Sequence, residues 1–321
     1  MTQRPDVSVI IPMHNASSTI SGLVESFLQV DAASVEVVVV DDASTDGSAD
    51  QVLALDRPEV VLERLPTNRG AGIARNHGFA RATGRYSLFF DADDEIHPVA
   101  LTSAIGALDD TGCDVAVLPY RYRRGGSTQF EGMNSFDLGA WSRYATAPRR
   151  VARLHDVPRL LGFSNYPWNK LLATDHYRRT GLRFGGTPVH NDVLGHWLTL
   201  LDADSILLLD QPLCTHVVKA GGRNLTNRES RARLSLVDAL EETYTELEAR
   251  PEKRNRFSHH YWDFVLRVAG WAGSRLTPDV VDEFNVRLQR HLLRMDLSDF
   301  TRMRLRRDPA LATRLVKRAL A

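Results

Sequence analysis

Apolar positions in the first hundred residues come in two alternating kinds. Short β-branched runs at Val7–Ile11, Val35–Val40, Val60–Arg64 and Tyr86–Phe90 read as strands, and between them apolar residues recur at helical spacing. Ile20, Leu23, Val24, Phe27 and Leu28 share one helix face behind a capping Ser17 or Ser18. A second helix is expected to run to about Leu55 and a third over Ala71–Ala82. This alternation predicts an α/β domain with a parallel sheet and crossover helices. Val37-Val38-Val39-Val40 shows no period of two, as a central strand buried on both faces should not.

From about residue 115 the pattern is mixed, with a strand at Val115–Pro119 and a basic, glycine-bearing turn at Arg121–Gly126. Residues 127–165 carry no readable period. Beyond Asn227 the period is helical almost to the end, so the expected division is 1–225 for the α/β domain and 226–321 for a helical region.

Composition narrows the function classes. The 321 residues carry 40 Lys and Arg against 40 Asp and Glu, which disfavours a polybasic nucleic-acid binder or a disordered chain. No apolar run approaches the about 18–20 residues that span a bilayer, and Val7–Ile11 is too short for a secretory core. Cys113 and Cys214 lie far apart in apolar contexts, as reduced buried thiols would. A cytoplasmic protein is expected. From Asn285 onward nine Arg and one Lys face three Asp, so the chain should end in a basic helical tail. Such a tail is either a solvated face or a patch for anionic lipid or a partner.

Three of the predicted strands end in polar or acidic turns: Pro12 and His14, Asp41-Asp42, and Asp91-Ala92-Asp93-Asp94. Ligands of open α/β sheets bind at the carboxyl ends of the strands, so these turns should line one crevice. Two carboxylates two positions apart after a strand suit a hard divalent cation that keeps sites open for phosphates. A calcium EF-hand loop fails, since its Gly and Glu positions are Ile96 and Thr102. Gly70-Ala-Gly72-Ile-Ala-Arg75 ends in Arg and follows the third strand, which disfavours a dinucleotide site. His190 and His196 lack the zincin spacing, and neither a nucleophile elbow nor a P-loop occurs.

Four blocks occur in order: Val7-Ser-Val-Ile-Ile-Pro-Met-His-Asn15, Val38–Gly47, Asn68-Arg-Gly-Ala-Gly-Ile-Ala-Arg-Asn76 and Phe89-Phe-Asp-Ala-Asp-Asp94. Together they resemble the family 2 glycosyltransferases with the GT-A fold, over about residues 7–225. Tyr166-Pro-Trp-Asn-Lys170, Thr180–Phe184 and His190-Asn-Asp192 resemble the family's later motifs, with Asn191 where the common pattern has Glu.

The resemblance implies a GT-A mixed sheet flanked by helices, with a C-terminal helical extension. It implies an inverting enzyme that moves a sugar from a nucleoside diphosphate, UDP by preference, to a hydroxyl of a glycan or lipid-linked acceptor in cell-surface polysaccharide synthesis. Asp192 would be the general base, and Asp91 and Asp93 would hold Mn²⁺ or Mg²⁺. Pro12, His14, Asp41, Asp42, Asn68, Arg75, Asp91, Lys219 and Arg223 would contact the nucleotide-sugar. Trp168 and Asn191 fall on the sugar or acceptor side, with Trp168 equally readable as core. Lys170 is either a phosphate contact or a structural cation, and His216 is a further candidate phosphate contact. The helical extension would assemble a homo-oligomer or hold the enzyme at the inner face of the membrane. Rival readings are a binding protein that has lost turnover, suggested by Asn191, and a nucleotidyltransferase with similar metal ligands.

Overall fold

The computed structural model describes residues 4–218 and 230–320. The predicted strands form as β1 (Val7–Met13), β2 (Val35–Asp41), β3 (Val60–Arg64) and β4 (Tyr86–Phe89), paired in parallel in the order β3-β2-β1-β4. Helices α1 (Ile20–Leu28), α2 (Ser48–Ala54) and α3 (Ala71–Arg81) make the crossovers. The unalternating valines of β2 are buried on both sides. Val38 and Val40 pack with Ala74 of α3, while Val37 and Val39 join the main core. Helix α3 lies so close to the sheet that a Cβ on Gly78 would sit 2.5 Å from the Ile10 side chain.

The chain continues through β5 (Glu95–Ile96), α4 (Pro98–Thr111), β6 (Val115–Val117), β7 (Tyr120–Arg124), α5 (Ser135–Tyr144) and β8 (Arg149–Ala152). Then follow β9 (Lys170–Ala173), α6 (Thr174–Thr180), α7 (Asp192–Leu201), β10 (Ile206–Leu209) and β11 (Cys214–Val218). Strand β9 pairs antiparallel with both β4 and β6, and β8 antiparallel with β10, so the large sheet is mixed, in the order β3-β2-β1-β4-β9-β6-β10-β8. A small sheet, β5-β11-β7, stands beside it. The segment read as a basic turn at Arg121–Gly126 is mostly strand β7, and only Gly125 and Gly126 take the left-handed turn conformation.

The carboxyl-terminal helices are α8 (Ser235–Glu248), α9 (Pro251–Gly273), α10 (Val281–Leu292), α11 (Leu297–Arg302) and α12 (Pro309–Leu320). They share a core with α7: buried Trp197 meets Tyr261 at 5.3 Å and Phe264 at 5.7 Å between ring centres. Among the described residues no helix is long and apolar enough to cross a membrane. Part of the basic tail is neutralised within the fold, where Arg287, Arg294 and Arg314 pair with Asp238, Glu248 and Asp263.

Candidate active site

The carboxyl ends of β1, β2 and β4 bring the polar turns to one edge of the sheet. Asp42 is buried, and its two oxygens accept the backbone N–H groups of Arg69 and Gly70 at 2.7 Å each. That pair of bonds ties the β2 turn to the loop entering α3. Asp41, also buried, accepts from the Ser44 N–H at 2.9 Å and pairs with Arg64 at 3.4 Å. Exposed His14 reaches the Asp42 carbonyl through Nδ1 at 2.9 Å, and Asn68 is exposed on the same rim. Pro12 departs from expectation. It lies buried inside β1, opposite Val40, because the strand runs on to Met13.

Arg75, 4 % exposed, is the centre of the site. Its Nη1 donates to Asn191 Oδ1 at 2.8 Å and its Nη2 to Asp91 Oδ1 at 2.5 Å, with the Phe184 ring 5.3 Å away. One guanidinium thus joins the acidic turn after β4 to the start of α7, where Asn191 immediately precedes Asp192. Asn191 keeps an acceptor oxygen facing Arg75 without placing a second negative charge beside Asp192, and its Nδ2 donates to the Thr187 carbonyl at 3.3 Å.

The loop that carries Asn191 is held from below. The Asn76 side chain donates to the Phe184 carbonyl at 2.9 Å and accepts its N–H at 2.8 Å. At Gly72 a Cβ would fall 2.0 Å from the Gly185 carbonyl oxygen and 2.9 Å from Asn191 Cβ, so only glycine lets α3 abut this loop. Gly72→Ala is therefore expected to push the loop off Arg75 and to cost about 1–3 kcal/mol by overpacking. Thermal denaturation alongside a transfer assay checks this, with both falling together.

Half-buried Asp192 has its pKa pushed up to about 6. Burial is the main cause and the Asp91 charge adds to it, while Arg75 and Lys170 oppose it. Lys170 is itself buried, and burial lowers its pKa to about 7, opposed by the charges of Asp192 and Asp137. Its Nζ is spent on the Tyr166 carbonyl at 2.6 Å and Asn169 Oδ1 at 2.7 Å, so it is an internal cation beneath the site, with no free reach to a phosphate.

Asp94 was not singled out by the sequence. It is buried, with one oxygen accepting from His216 Nδ1 at 2.8 Å and the Val217 N–H at 2.9 Å. Burial raises the Asp94 pKa against the pull of His216. Burial works against charge on His216 too, but the Asp94 hydrogen bond and charge outweigh it and the imidazole pKa is raised. This pair fastens β11 to the acidic turn. The signal was present as the third acid of Asp91-Ala-Asp-Asp94.

Of the two readings of Trp168, sugar platform and core, the structure has the core. Trp168 is 0 % exposed, stacked on Tyr166 with ring centres 4.4 Å apart and set edge-on to Tyr120 at 5.1 Å, so neither face is open. Lys219 and Arg223, like the expected boundary near 225, lie outside the described residues.

The donor set fits a hard cation. Asp91 keeps one carboxylate oxygen clear of Arg75, and Asp93 lies two residues on at the half-buried rim. A second carboxylate and imidazole group, Asp114, His176 and Asp204, lies at the opposite edge, where β6 and β10 begin. There Asp114 Oδ2 accepts the N–H groups of Asp204 and Ser205 at 2.9 Å, and His176 reaches the Asp202 carbonyl at 2.8 Å.

The model of glycosyl transferase family 2 matches residues 8–170, half of the chain, from β1 to the start of β9. The chain belongs to this family. Over 113 residues it is 41 % identical to the succinoglycan biosynthesis protein ExoO of Rhizobium meliloti, covering 35 % of this chain and 32 % of that protein. The chain thus matches only about a third of that curated relative's length. Among solved structures, S. aureus TarS 1–349 in complex with UDP-GlcNAc superposes with a TM-score of 0.76 at 20 % identity, over 98 % of this chain and 88 % of TarS. The mannosyltransferase PcManGT of Pyrobaculum calidifontis, in complex with GDP-Man and Mn²⁺, gives 0.56 at 18 % identity, over 99 % and 87 %. At such identities these likenesses show the fold, which is the GT-A arrangement expected for the family.

Proposed function

We propose that this family 2 chain is an inverting, metal-dependent glycosyltransferase that takes a sugar from a UDP-sugar and places it on a hydroxyl of a glycan or lipid-linked acceptor in cell-surface polysaccharide synthesis. The observation that carries this reading is the Asp91–Arg75–Asn191 bridge, which sets Asp192 at the same edge of the sheet as the acidic turn. The bound nucleotides of the TarS and PcManGT structures and the polysaccharide role in ExoO's name support it.

In a single displacement the acceptor oxygen attacks the anomeric carbon as the bond to the diphosphate breaks on the opposite face. The acceptor hydroxyl is a weak nucleophile until its proton is taken, and Asp192 is placed to take it. A base with a pKa of about 6 is ionised at neutral pH and a better proton acceptor than an ordinary carboxylate. Asp42 and His14 bound the nucleoside end of the crevice, and Arg75 keeps Asp91 oriented. A Mn²⁺ or Mg²⁺ ion held by Asp91 and Asp93 would supply positive charge to the departing diphosphate.

The testing experiment is nucleotide release from a panel of UDP-, GDP- and dTDP-sugars, with acceptor extracts, with Mn²⁺ and with chelator. Metal-dependent UDP release coupled to sugar incorporation supports the reading; release of inorganic diphosphate from a nucleoside triphosphate, offered as a separate arm, would favour a nucleotidyltransferase. The pH profile follows from Asp192. Because the active form is deprotonated, kcat rises about tenfold per pH unit below pH 6 and levels off above pH 7. A profile flat from pH 5 to 8 contradicts this assignment.

A further inference from the structure

The edge of the sheet opposite the crevice carries a groove of about 830 Å³. Strand β8 runs antiparallel to β10 with Ala152 opposite Ile206, so Arg153 leaves the sheet where Asp204 enters it. Helix α9 and the turn after α11 form the other wall. Helix α7, ten residues long and so about 15 Å, separates Asp192 from this groove.

Five cationic side chains line it, Arg153, Lys253, Arg256, Arg302 and Arg307. Among the described residues that line it, the acids are Asp204 and Glu252. Lys253 donates to the Leu201 carbonyl at 2.6 Å and Arg302 is paired with Asp299, so those two are occupied. Arg153, Arg256 and Arg307 are exposed, and none makes an ion pair among the described residues. Arg153, Arg256 and Arg307 thus place three guanidinium groups without ion-pair partners among the described residues in one concavity. Arg307 also lines an adjoining cavity of about 330 Å³, where Asp263 and Asp308 balance Arg159 and Arg307, so the excess positive charge is confined to the larger groove.

A concave wall of one sign focuses the field and raises the local concentration of counter-charge. Guanidinium groups offer planar pairs of donors suited to phosphate and carboxylate oxygens. A bilayer presents a flat surface that does not enter such a groove, and a neutral glycan makes no use of unpaired cations. We propose that this groove docks an anionic polymer chain, whose phosphodiester or carboxylate groups are held by Arg153, Arg256 and Arg307 away from the transfer crevice. The proposal concerns binding and does not rest on the transferase reading.

The test titrates a short-chain inorganic polyphosphate into the full chain by calorimetry at several salt concentrations. Orthophosphate, neutral dextran and phosphatidylglycerol vesicles serve as separate arms. The expected result is polyphosphate binding that weakens with salt, with little binding in the other arms. The double variant Arg256→Glu/Arg307→Glu should bind at least about tenfold more weakly with a shallower salt slope, and retain its melting temperature and UDP binding. Arg153→Glu, on a different segment, provides a second variant should the double one fail to fold. Undiminished binding by folded variants, no polyphosphate binding at low salt, orthophosphate binding as tight as the chain, or vesicle binding lost in the same variants would each overturn the proposal.

Discussion

Asp192→Asn is expected to lower kcat for sugar transfer by about 10²–10⁴-fold while leaving UDP affinity unchanged. Asn conserves the volume at the start of α7 and leaves the Arg75–Asn191 contact intact, so the loss isolates proton removal. The same substitution should raise stability above pH 6. Asp192 has a higher pKa in the folded chain than in the unfolded one, so the native state binds more protons and stability falls as pH rises from about 4 through 6. Removing the charge relieves that loss, by about 3 kcal/mol at pH 8. A variant that loses activity while its melting temperature rises is the signature of a group positioned for chemistry at a cost in stability. Retained transfer would remove the assignment, and lost UDP binding would make Asp192 a donor contact.

Arg75→Met should damage both fold and site. The guanidinium is 4 % exposed and holds Asp91, whose side chain is 28 % exposed, so its removal leaves a poorly solvated carboxylate with no partner. Breaking a fully buried pair costs about 3–5 kcal/mol, and the partial exposure of Asp91 puts this one near 3 kcal/mol, about 4 °C in melting temperature for a chain of 321 residues. Transfer should fall below detection, and metal-dependent UDP binding should weaken because Asp91 is no longer oriented. Arg75→Lys should not rescue, since one ammonium does not span Asp91 Oδ1 and Asn191 Oδ1 as the planar fork does. Calorimetry and denaturation on both variants check this; normal UDP binding by Arg75→Met would reduce the arginine to a structural role.

The parallel half of the fold was legible because its signals are local. Val60–Arg64 is strand β3 to the residue, and the four valines of β2 are buried on both faces as their lack of alternation required. The strands that make the sheet mixed were illegible for a physical reason. Strand β9 has four residues, one of them the buried Lys170, and is a strand only because β4 and β6 flank it. Residues 127–165 are ordered by long-range polar contacts, such as Tyr120 Oη to Asp137 at 2.7 Å and Asn134 to Ser164 at 2.9 Å, which leave no period in the sequence.

The site shows the same division. Asp91, Arg75, Asn191 and Asp192 could be singled out from spacing and resemblance, but that one arginine bridges the first and third of them depends on Gly72 admitting α3 to the loop. The burial of Pro12 and Trp168 was not legible because it depends on the neighbours a strand or aromatic cluster acquires. Asp94 was overlooked because its partner His216 lies 122 residues away.

The measurement that bears most directly on the account is calorimetric titration of UDP, GDP and dTDP into the full chain with Mn²⁺, with Mg²⁺ and with chelator, repeated on Asp93→Ala. UDP is expected to bind with metal, chelator to abolish binding, and Asp93→Ala to lose the metal dependence. No binding of any nucleotide, or UDP binding indifferent to metal and to Asp93, would contradict this expectation.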